Sequence, residues 1–311
     1  MFFLKNRSSS IYRFFTILSL IVAGEAVFVL PFHITRFFRP TFMEVFGFTH
    51  SQLGFAQGMY GLMAMLAYFP GGFLADKFQA RNLIVLSLLT TALSGLSLLS
   101  IPGFVATCFL WAFWGLSTIL FLWAALIKAI REWASKDEQA FGYALLDSGR
   151  GLYAIILASL SVGIFTNYLP EDLSMSSDQQ RLVSLQSIIY FYILTTLGSA
   201  LLVWVFVPAS HGKKIQANTQ VDFWQTTKTI VKMPQCWLIS FIVISSYIAW
   251  KGLDNIGLYL KDVYGYTEVE AAWLSTYSAW TRIVAAIASG LIADRLTPSS
   301  VILRRPDNDI T

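Results

Sequence analysis

The chain has 311 residues, of which 56% are hydrophobic and 13% are charged, and its formal net charge is +4. Soluble globular proteins carry roughly 25% charged residues, so this composition excludes a disordered chain, a collagen-like fibre and a disulfide scaffold, and it disfavours an ordinary soluble enzyme. The two cysteines, Cys108 and Cys236, lie in or beside apolar segments and have no metal-ligand spacing.

The hydropathy pattern predicts an all-α membrane protein. A helix needs about 20 apolar residues to cross a hydrocarbon core of roughly 30 Å, and eight segments meet this requirement. The apolar part of the first is longer than the core of a signal peptide, so we predict an uncleaved signal anchor. We number the predicted spans 1 to 8 in chain order: Ile11–Phe32, Ser51–Ala75, Leu83–Ile101, Phe104–Ile127, Phe141–Phe165, Gln186–Val207, Gln235–Leu260 and Ala271–Ala293.

The distribution of basic residues predicts the orientation of these spans. With the N-terminus placed in the cytoplasm, the cytoplasmic segments hold 15 Lys and Arg residues and the external segments hold 4. Because cytoplasmic loops of membrane proteins are enriched in Lys and Arg, both termini are predicted to be cytoplasmic. The excess of Lys and Arg is therefore explained by the orientation of the chain in the membrane, and no nucleic-acid partner is predicted.

The loop lengths divide the chain into four parts. Residues 1–207 are predicted to form a six-helix transmembrane bundle, and residues 208–234 a polar cytoplasmic linker. Residues 235–296 then hold two helices of a second, partial bundle, and residues 297–311 form a cytoplasmic tail.

A short motif occurs twice, at the ends of spans 2 and 8, and equivalent residues of the two copies are 218 positions apart. Both copies close an even-numbered span on the predicted cytoplasmic side, which indicates a parallel repeat of helical bundles. The residues of the motif are Gly72, Asp76, Lys77 and Arg81 in the first copy, and Gly290, Asp294 and Arg295 in the second.

These copies resemble the loop motif of the major facilitator superfamily, Gly-x-Leu-Ala-Asp-Arg/Lys-x-Gly-Arg-Arg/Lys. The chain departs from it at Gln79 and Ala80, where the family has Gly and Arg. The stretch Glu138–Gly151 is similar to the start of span 5 in bacterial permeases for sugars, sugar acids and other organic anions. The resemblance implies a bacterial inner-membrane transporter with a gating role for the motif. Since the family has twelve helices, we expect a C-terminally truncated member, with a second chain as one source of the missing helices.

Six charged residues are predicted inside the spans: Glu25, Asp147, Arg150, Lys251, Asp254 and Arg282. A charge at the bilayer centre costs about 2.5–3.5 kcal/mol on insertion scales, so each needs a partner or water. The pairs Asp147/Arg150 and Lys251/Asp254 are three residues apart on one helix face and can neutralise themselves. The alternative is that the cations bind an anionic substrate while the acids carry protons, with Glu25 as the proton-coupling group.

The family resemblance and these residues lead to two functional hypotheses. The first is a proton-coupled secondary transporter of a small organic anion or sugar derivative, which works by alternating access. Its partners are a small-molecule substrate, protons and the lipid bilayer. The second is a truncated, transport-inactive membrane protein that acts as a relic or a partner-binding subunit. The sequence holds no phosphate-binding loop, metal cluster or nucleophile triad, so we predict no enzyme activity, cofactor or metal.

Overall fold

The computed structural model of the chain describes residues 10–134, 139–168, 176–209, 228–229, 231–277 and 280, without the side chains of residues 140, 250, 251 and 254. Within these ranges the regular structure is helical and includes no strand. This confirms the prediction of an all-α membrane protein. The predicted tail 297–311 and most of the predicted linker 208–234 lie outside the described residues.

Among the described residues, six helices are long and apolar enough to cross a membrane, and they correspond to predicted spans 1 to 6. Span 1 continues to Phe37, beyond its predicted end at Phe32, and span 6 begins at Asp178 rather than Gln186. Hydropathy detects the apolar part of a helix, whereas these two helices continue into polar sequence. The spans are Ser10–Phe37, His50–Lys77, Ala80–Ser100, Phe104–Trp133, Phe141–Thr166 and Asp178–Phe206.

Three helices that start on the same side of the bundle begin with a capping box. We call this side the far side, and the side on which span 1 starts the near side. In a capping box, a Ser or Thr and the third residue after it each accept a hydrogen bond from the other's backbone N–H. The pairs are Thr49 with Gln52 before span 2, Ser177 with Gln180 before span 6, and Thr267 with Glu270 before span 8.

Predicted span 7 is interrupted in the structure. It consists of the helix Pro234–Gly252, a 3-10 turn over Leu253–Asn255 and the helix Ile256–Tyr264. Gly, Asp and Asn are weak helix formers, and all three occur at the interruption. Gly265, with φ of 69°, ends the second helix. Predicted span 8 is helical over 268–277, and most of its remainder lies outside the described residues.

Close helix packing holds the first bundle together. Span 1 packs against spans 5 and 6, span 2 against span 4, and span 3 against span 6. A Cβ atom on Gly115 of span 4 would lie 2.2 Å from the carbonyl oxygen of Tyr60 in span 2. A Cβ atom on Gly149 of span 5 would lie 2.6 Å from the side chain of Ile21 in span 1. Small residues are needed where helix backbones approach this closely.

Spans 1 and 4 each contain a π-helical turn, at Val29–His33 and Thr118–Trp123. Such turns are wider than an α-helical turn and are frequent at functional sites. In span 1 the turn includes Pro31, which has no N–H to donate to the preceding turn. Both turns contribute side chains to the cavity described below.

The first copy of the loop motif lies at the near-side end of span 2. Gly72, Asp76 and Lys77 are exposed to the surroundings of the bundle. The guanidinium of Arg81 lies 4.5 Å from the ring centroid of Trp204 in span 6. None of these four residues lines the cavity described below.

Span 4 holds the near-side end of span 2 through Lys128. Its ammonium group donates to the carbonyl oxygens of Ala75 at 2.6 Å and Phe78 at 3.1 Å. These are carbonyls at a helix C-terminus, which lack partners within the helix.

We expect Lys128→Met to lower the free energy of unfolding by about 1–3 kcal/mol, because hydrogen bonds from a charged donor contribute on this scale. Denaturant titration in detergent micelles measures the loss. Lys77→Met, which removes an exposed ammonium group, is the control, and an equal loss in both variants would contradict the prediction.

Candidate functional site

A cavity of about 910 Å³ lies between spans 1, 2, 4 and 5. Its volume is in the range of small-molecule binding pockets, roughly 300–1,000 Å³. From the region of predicted span 7, Tyr247 and Asn255 also line it. Much of the wall is aromatic or apolar, through Phe28, Phe32, Tyr60, Met65, Ile119 and Trp123.

A buried ion pair forms one polar region of the cavity wall. Oε2 of Glu25 lies 3.3 Å from Nη2 of Arg150, and their side chains are 7% and 11% exposed. Nη1 of Arg150 lies 4.0 Å from Oδ1 of Asp147, whose side chain is half exposed. Arg150 is thus placed between two carboxylates, and Glu25 is the nearer and more buried of them.

Further contacts fix the guanidinium of Arg150 in place. Its Nε donates to the carbonyl oxygen of Gly24 at 3.0 Å. Its Cζ lies 5.7 Å from the ring centroid of Phe28 and 5.3 Å from that of Trp123. Cation–π contacts of this length are stabilising, more so away from water. Spans 1, 4 and 5 all contribute residues to these contacts. The position of the Arg150 guanidinium therefore depends on how these three spans pack together.

The second carboxylate oxygen of Glu25 faces an imidazole. Oε1 lies 3.4 Å from Nε2 of His33, whose side chain is 2% exposed. The His33 ring also packs edge-on against Phe37 and Tyr192, with centroids 5.5 Å and 5.9 Å away. A buried carboxylate therefore lies between a guanidinium and an imidazole, an arrangement that can hold or release a proton.

The far end of the cavity carries a second set of polar groups. Arg36 and Arg39 line it together with Thr35 and Gln57, and Gln57 donates to the Thr35 hydroxyl at 3.0 Å. Nη1 of Arg39 donates to Oδ1 of Asn255 at 2.6 Å. Span 1 was predicted to end at Phe32, before both arginines, so their place on the cavity wall was not predicted.

A second contact between the two bundles lies beside this far end. The backbone N–H of Thr41 donates to Oε1 of Glu268 at 3.1 Å, and its hydroxyl donates to Oε2 at 2.7 Å. Thr41 lies in the first turn of the helix Arg39–Phe46, whose N-terminus has no side-chain cap of its own. Glu268 therefore caps this helix from the second bundle. Burial raises the pKa of Glu268 above its ordinary value, although the hydrogen bonds from Thr41 oppose this shift.

The cavity brings together three of the six predicted pathway residues, Glu25, Asp147 and Arg150. Lys251 and Asp254 belong to the helix Pro234–Gly252 and the turn after it, but their side chains lie outside the described residues. Arg282 also lies outside the described residues, as does the second copy of the motif with Gly290, Asp294 and Arg295. The roles of all these residues remain predictions.

These features describe a helical membrane protein with a solute-sized, partly polar cavity that is lined mainly by its first bundle. The sequence profile of the Major Facilitator Superfamily matches residues 14–304. The chain belongs to this superfamily, as the loop motifs predicted.

Relatives of the chain include proteins of bacterial inner membranes. It is 24% identical over 269 residues to the inner membrane protein YqcE of Escherichia coli K12, covering 86% of this chain and 61% of the relative. It is 23% identical over 256 residues to the inner membrane protein YihN of the same strain, covering 81% and 58%. The chain thus spans about three fifths of the length of these relatives.

A relative with a more specific name matches a shorter part. The steroid transmembrane transporter SLC22A24 of Rattus norvegicus is 31% identical over 121 residues, which are 39% of this chain and 22% of the relative.

Proposed function

We propose that the chain forms the transport pathway of a proton-coupled secondary transporter, which moves a small organic anion or sugar derivative by alternating access. The observation that carries the proposal is the buried carboxylate of Glu25 on the cavity wall, between Arg150 and His33. Burial disfavours a charged carboxylate and the neighbouring guanidinium favours it, so the balance depends on what else occupies the cavity. This dependence is what coupling between a proton and a substrate requires.

The far end of the cavity supports an anionic substrate. Arg36 and Arg39 present two guanidinium groups to the cavity, and guanidinium groups bind carboxylates through paired hydrogen bonds. The apolar and aromatic wall between this end and Glu25 suits the body of a small organic molecule. Arg150 is already shared by Glu25 and Asp147, so we assign it to the proton-carrying group rather than to the substrate.

The contacts between the bundles support alternating access. On the far side, Arg39 bonds to Asn255 and Thr41 bonds to Glu268, which joins the first bundle to the described part of the second. On the near side, Asp76 of the loop motif is exposed. With the termini in the cytoplasm, as the charge distribution predicts, the joined far side is the outer side, and the arrangement corresponds to a state closed outside.

The far-side contact is expected to depend on pH through Glu268. Its pKa is raised by burial in the joined state, and it returns towards the ordinary value once the bundles separate into water. Joining therefore takes up protons, so acidic pH favours the joined state and separation is favoured as pH rises through the raised pKa. Glu268→Gln keeps an acceptor oxygen without the charge, and we expect it to stay joined at every pH. Glu268→Ala loses the cap and should separate.

Spin-label distances test this expectation. Labels at Val45→Cys and Val263→Cys, with Cys108 and Cys236 replaced by serine, report on the far-side separation by pulsed electron resonance. Asp178→Asn, which neutralises an exposed acid at the start of span 6, should leave the pH dependence unchanged. The expectation fails if Glu268→Gln retains the pH dependence of the parent chain.

Reconstitution in liposomes tests the proposed function. Vesicles that contain the full chain and a trapped pH indicator are exposed to a panel of hexuronates, aldonates, short monocarboxylates and neutral hexoses. Acidification of the lumen that is driven by an anionic solute, and that exceeds the acidification of vesicles without protein, supports proton-coupled transport. If folded protein gives neither acidification nor solute uptake with any member of the panel, the result favours the transport-inactive alternative.

Cross-linking combined with the uptake assay tests whether a second chain contributes to transport. A Cβ atom added at Gly54, Gly58 or Gly61 of span 2 would meet no described atom within 4 Å. Gly61 lines the cavity, so the part of this face with Gly54 and Gly58 is where another helix can pack. Cross-linking in native membranes, followed by mass determination, shows whether a second polypeptide lies there. Uptake that appears only when that polypeptide is added back would assign transport to the assembly.

A further inference from the structure

His33 is a buried titratable residue to which the proposed transport mechanism gives no role. Its side chain is 2% exposed, and its Nε2 lies 3.4 Å from Oε1 of Glu25. A histidine within a membrane span is costly to bury without a partner, and it therefore indicates a functional site.

The backbone of span 1 is shaped so that these two residues meet. In a regular α-helix, residues eight positions apart are separated by about 12 Å along the axis and by about 80° around it. The π turn Val29–His33 lies between them, and its wider turn reduces the rotation per residue. It thereby brings His33 round towards the face that carries Glu25. The π turn includes Pro31, and because proline has no N–H to donate, the regular α-helical hydrogen bond is missing at this position.

The charges around the pair give each oxygen of Glu25 a different neighbour. Oε1 faces His33, while Oε2 faces Arg150. Tyr153 of span 5 lies within electrostatic range of Glu25, and Tyr192 of span 6 packs on the His33 ring. Among the described residues, the remaining charged groups on the same cavity are Asp147, beside Arg150, and Arg36 and Arg39, at the far end of the cavity.

We propose that His33 shares the transported proton with Glu25, so that the carboxyl–imidazole pair, rather than Glu25 alone, is the proton-carrying group of the cavity. The inference rests on the proposed proton coupling and adds a second proton-binding residue to it. A proton from cavity water binds Nε2 of His33 or Oε1 of Glu25 and passes between them. Only N–H and O–H bonds form and break, and Arg150 stays on Oε2 throughout.

A shared proton has a consequence that a purely structural histidine lacks. An imidazolium at 3.4 Å favours the charged form of the carboxylate, and two groups this close titrate as a coupled pair. Without His33, the carboxyl group should take up its proton in a single step, whereas in the parent chain the coupled pair takes up protons over two steps.

Infrared difference spectroscopy of the full chain in lipid nanodiscs tests this consequence without any substrate. The carbonyl band of protonated Glu25 is assigned by its loss in Glu25→Gln, and its intensity is followed against pH. We expect two steps in the parent chain and a single step in His33→Gln. His50→Gln, which removes an exposed histidine at the start of span 2, should keep both steps. Two steps in folded His33→Gln overturn the inference.

If His33→Gln does not fold, a second measurement, made on the parent chain, still tests the inference. In the parent chain with nitrogen-15-labelled histidine, the imidazole resonance of His33 should follow the same two pH midpoints as the Glu25 band. An imidazole that titrates at a pH of its own overturns the inference. The proposed function fails separately, if no solute drives proton uptake into vesicles, or if Glu25→Gln leaves that uptake unchanged.

Discussion

Replacing Arg150 by methionine is expected to lower the free energy of unfolding by about 3–5 kcal/mol at neutral pH. This is the usual cost of removing one partner of a buried ion pair, since the other charge is left uncompensated. Glu25, with a side chain 7% exposed, would lose its closest cation. The variant also loses the hydrogen bond to Gly24 and the contacts with Phe28 and Trp123. The loss should shrink at acidic pH, where protonation of Glu25 removes the stranded charge.

A double-mutant cycle separates the ion pair from the packing of the side chain. Glu25→Gln together with Arg150→Met should be less destabilised than the sum of the two single variants, since neither charge is then stranded. Arg131→Met is the matched control, because it removes an exposed arginine near the end of span 4, worth about 0.3–1 kcal/mol through the helix dipole. Additive losses would show that Arg150 stabilises the bundle through packing alone.

The first bundle could be predicted from sequence because its information is local. Long apolar runs located spans 1 to 6, and the cost of burying charge drew attention to Glu25, Asp147 and Arg150. The nearest ionic partner of Arg150 was not predicted from the sequence. Spacing along span 5 favoured Asp147, whereas the packing of span 1 against span 5 places Glu25 closer, at 3.3 Å against 4.0 Å.

The features missed from sequence depend on helix irregularity and on distant contacts. His33 appeared to lie at the end of span 1, because hydropathy falls there and nothing in the pattern signals that the helix continues to Phe37 through a π turn. The cap that Glu268 gives to Thr41 joins residues 227 positions apart. Local patterns predict caps only within one helix end, so a cap supplied by another bundle leaves no signature in the sequence.

The largest functional effect is expected from Glu25→Gln. The amide nearly preserves the shape of the carboxyl group and can still accept a hydrogen bond from Arg150, but it carries no exchangeable acidic proton. In the proposed cycle, the empty pathway must release its proton before it can return. We therefore expect solute-driven acidification of vesicles to fall to the level of vesicles without protein. Exchange of labelled for unlabelled solute should persist, because it needs only the loaded pathway to alternate.

Both readouts are needed to assign the role of Glu25. Glu132→Gln, which neutralises an exposed acid at the near-side end of span 4, should retain acidification and exchange and so controls for protein yield and orientation. Loss of exchange along with acidification, in a folded variant, would place Glu25 in substrate binding rather than proton coupling. Unchanged acidification would make it a structural partner of Arg150, with the two charges retained to orient span 5 against span 1. The proton would then have to be carried by another acid on the cavity, and Asp147, half exposed and 4.0 Å from Arg150, is the next residue to replace.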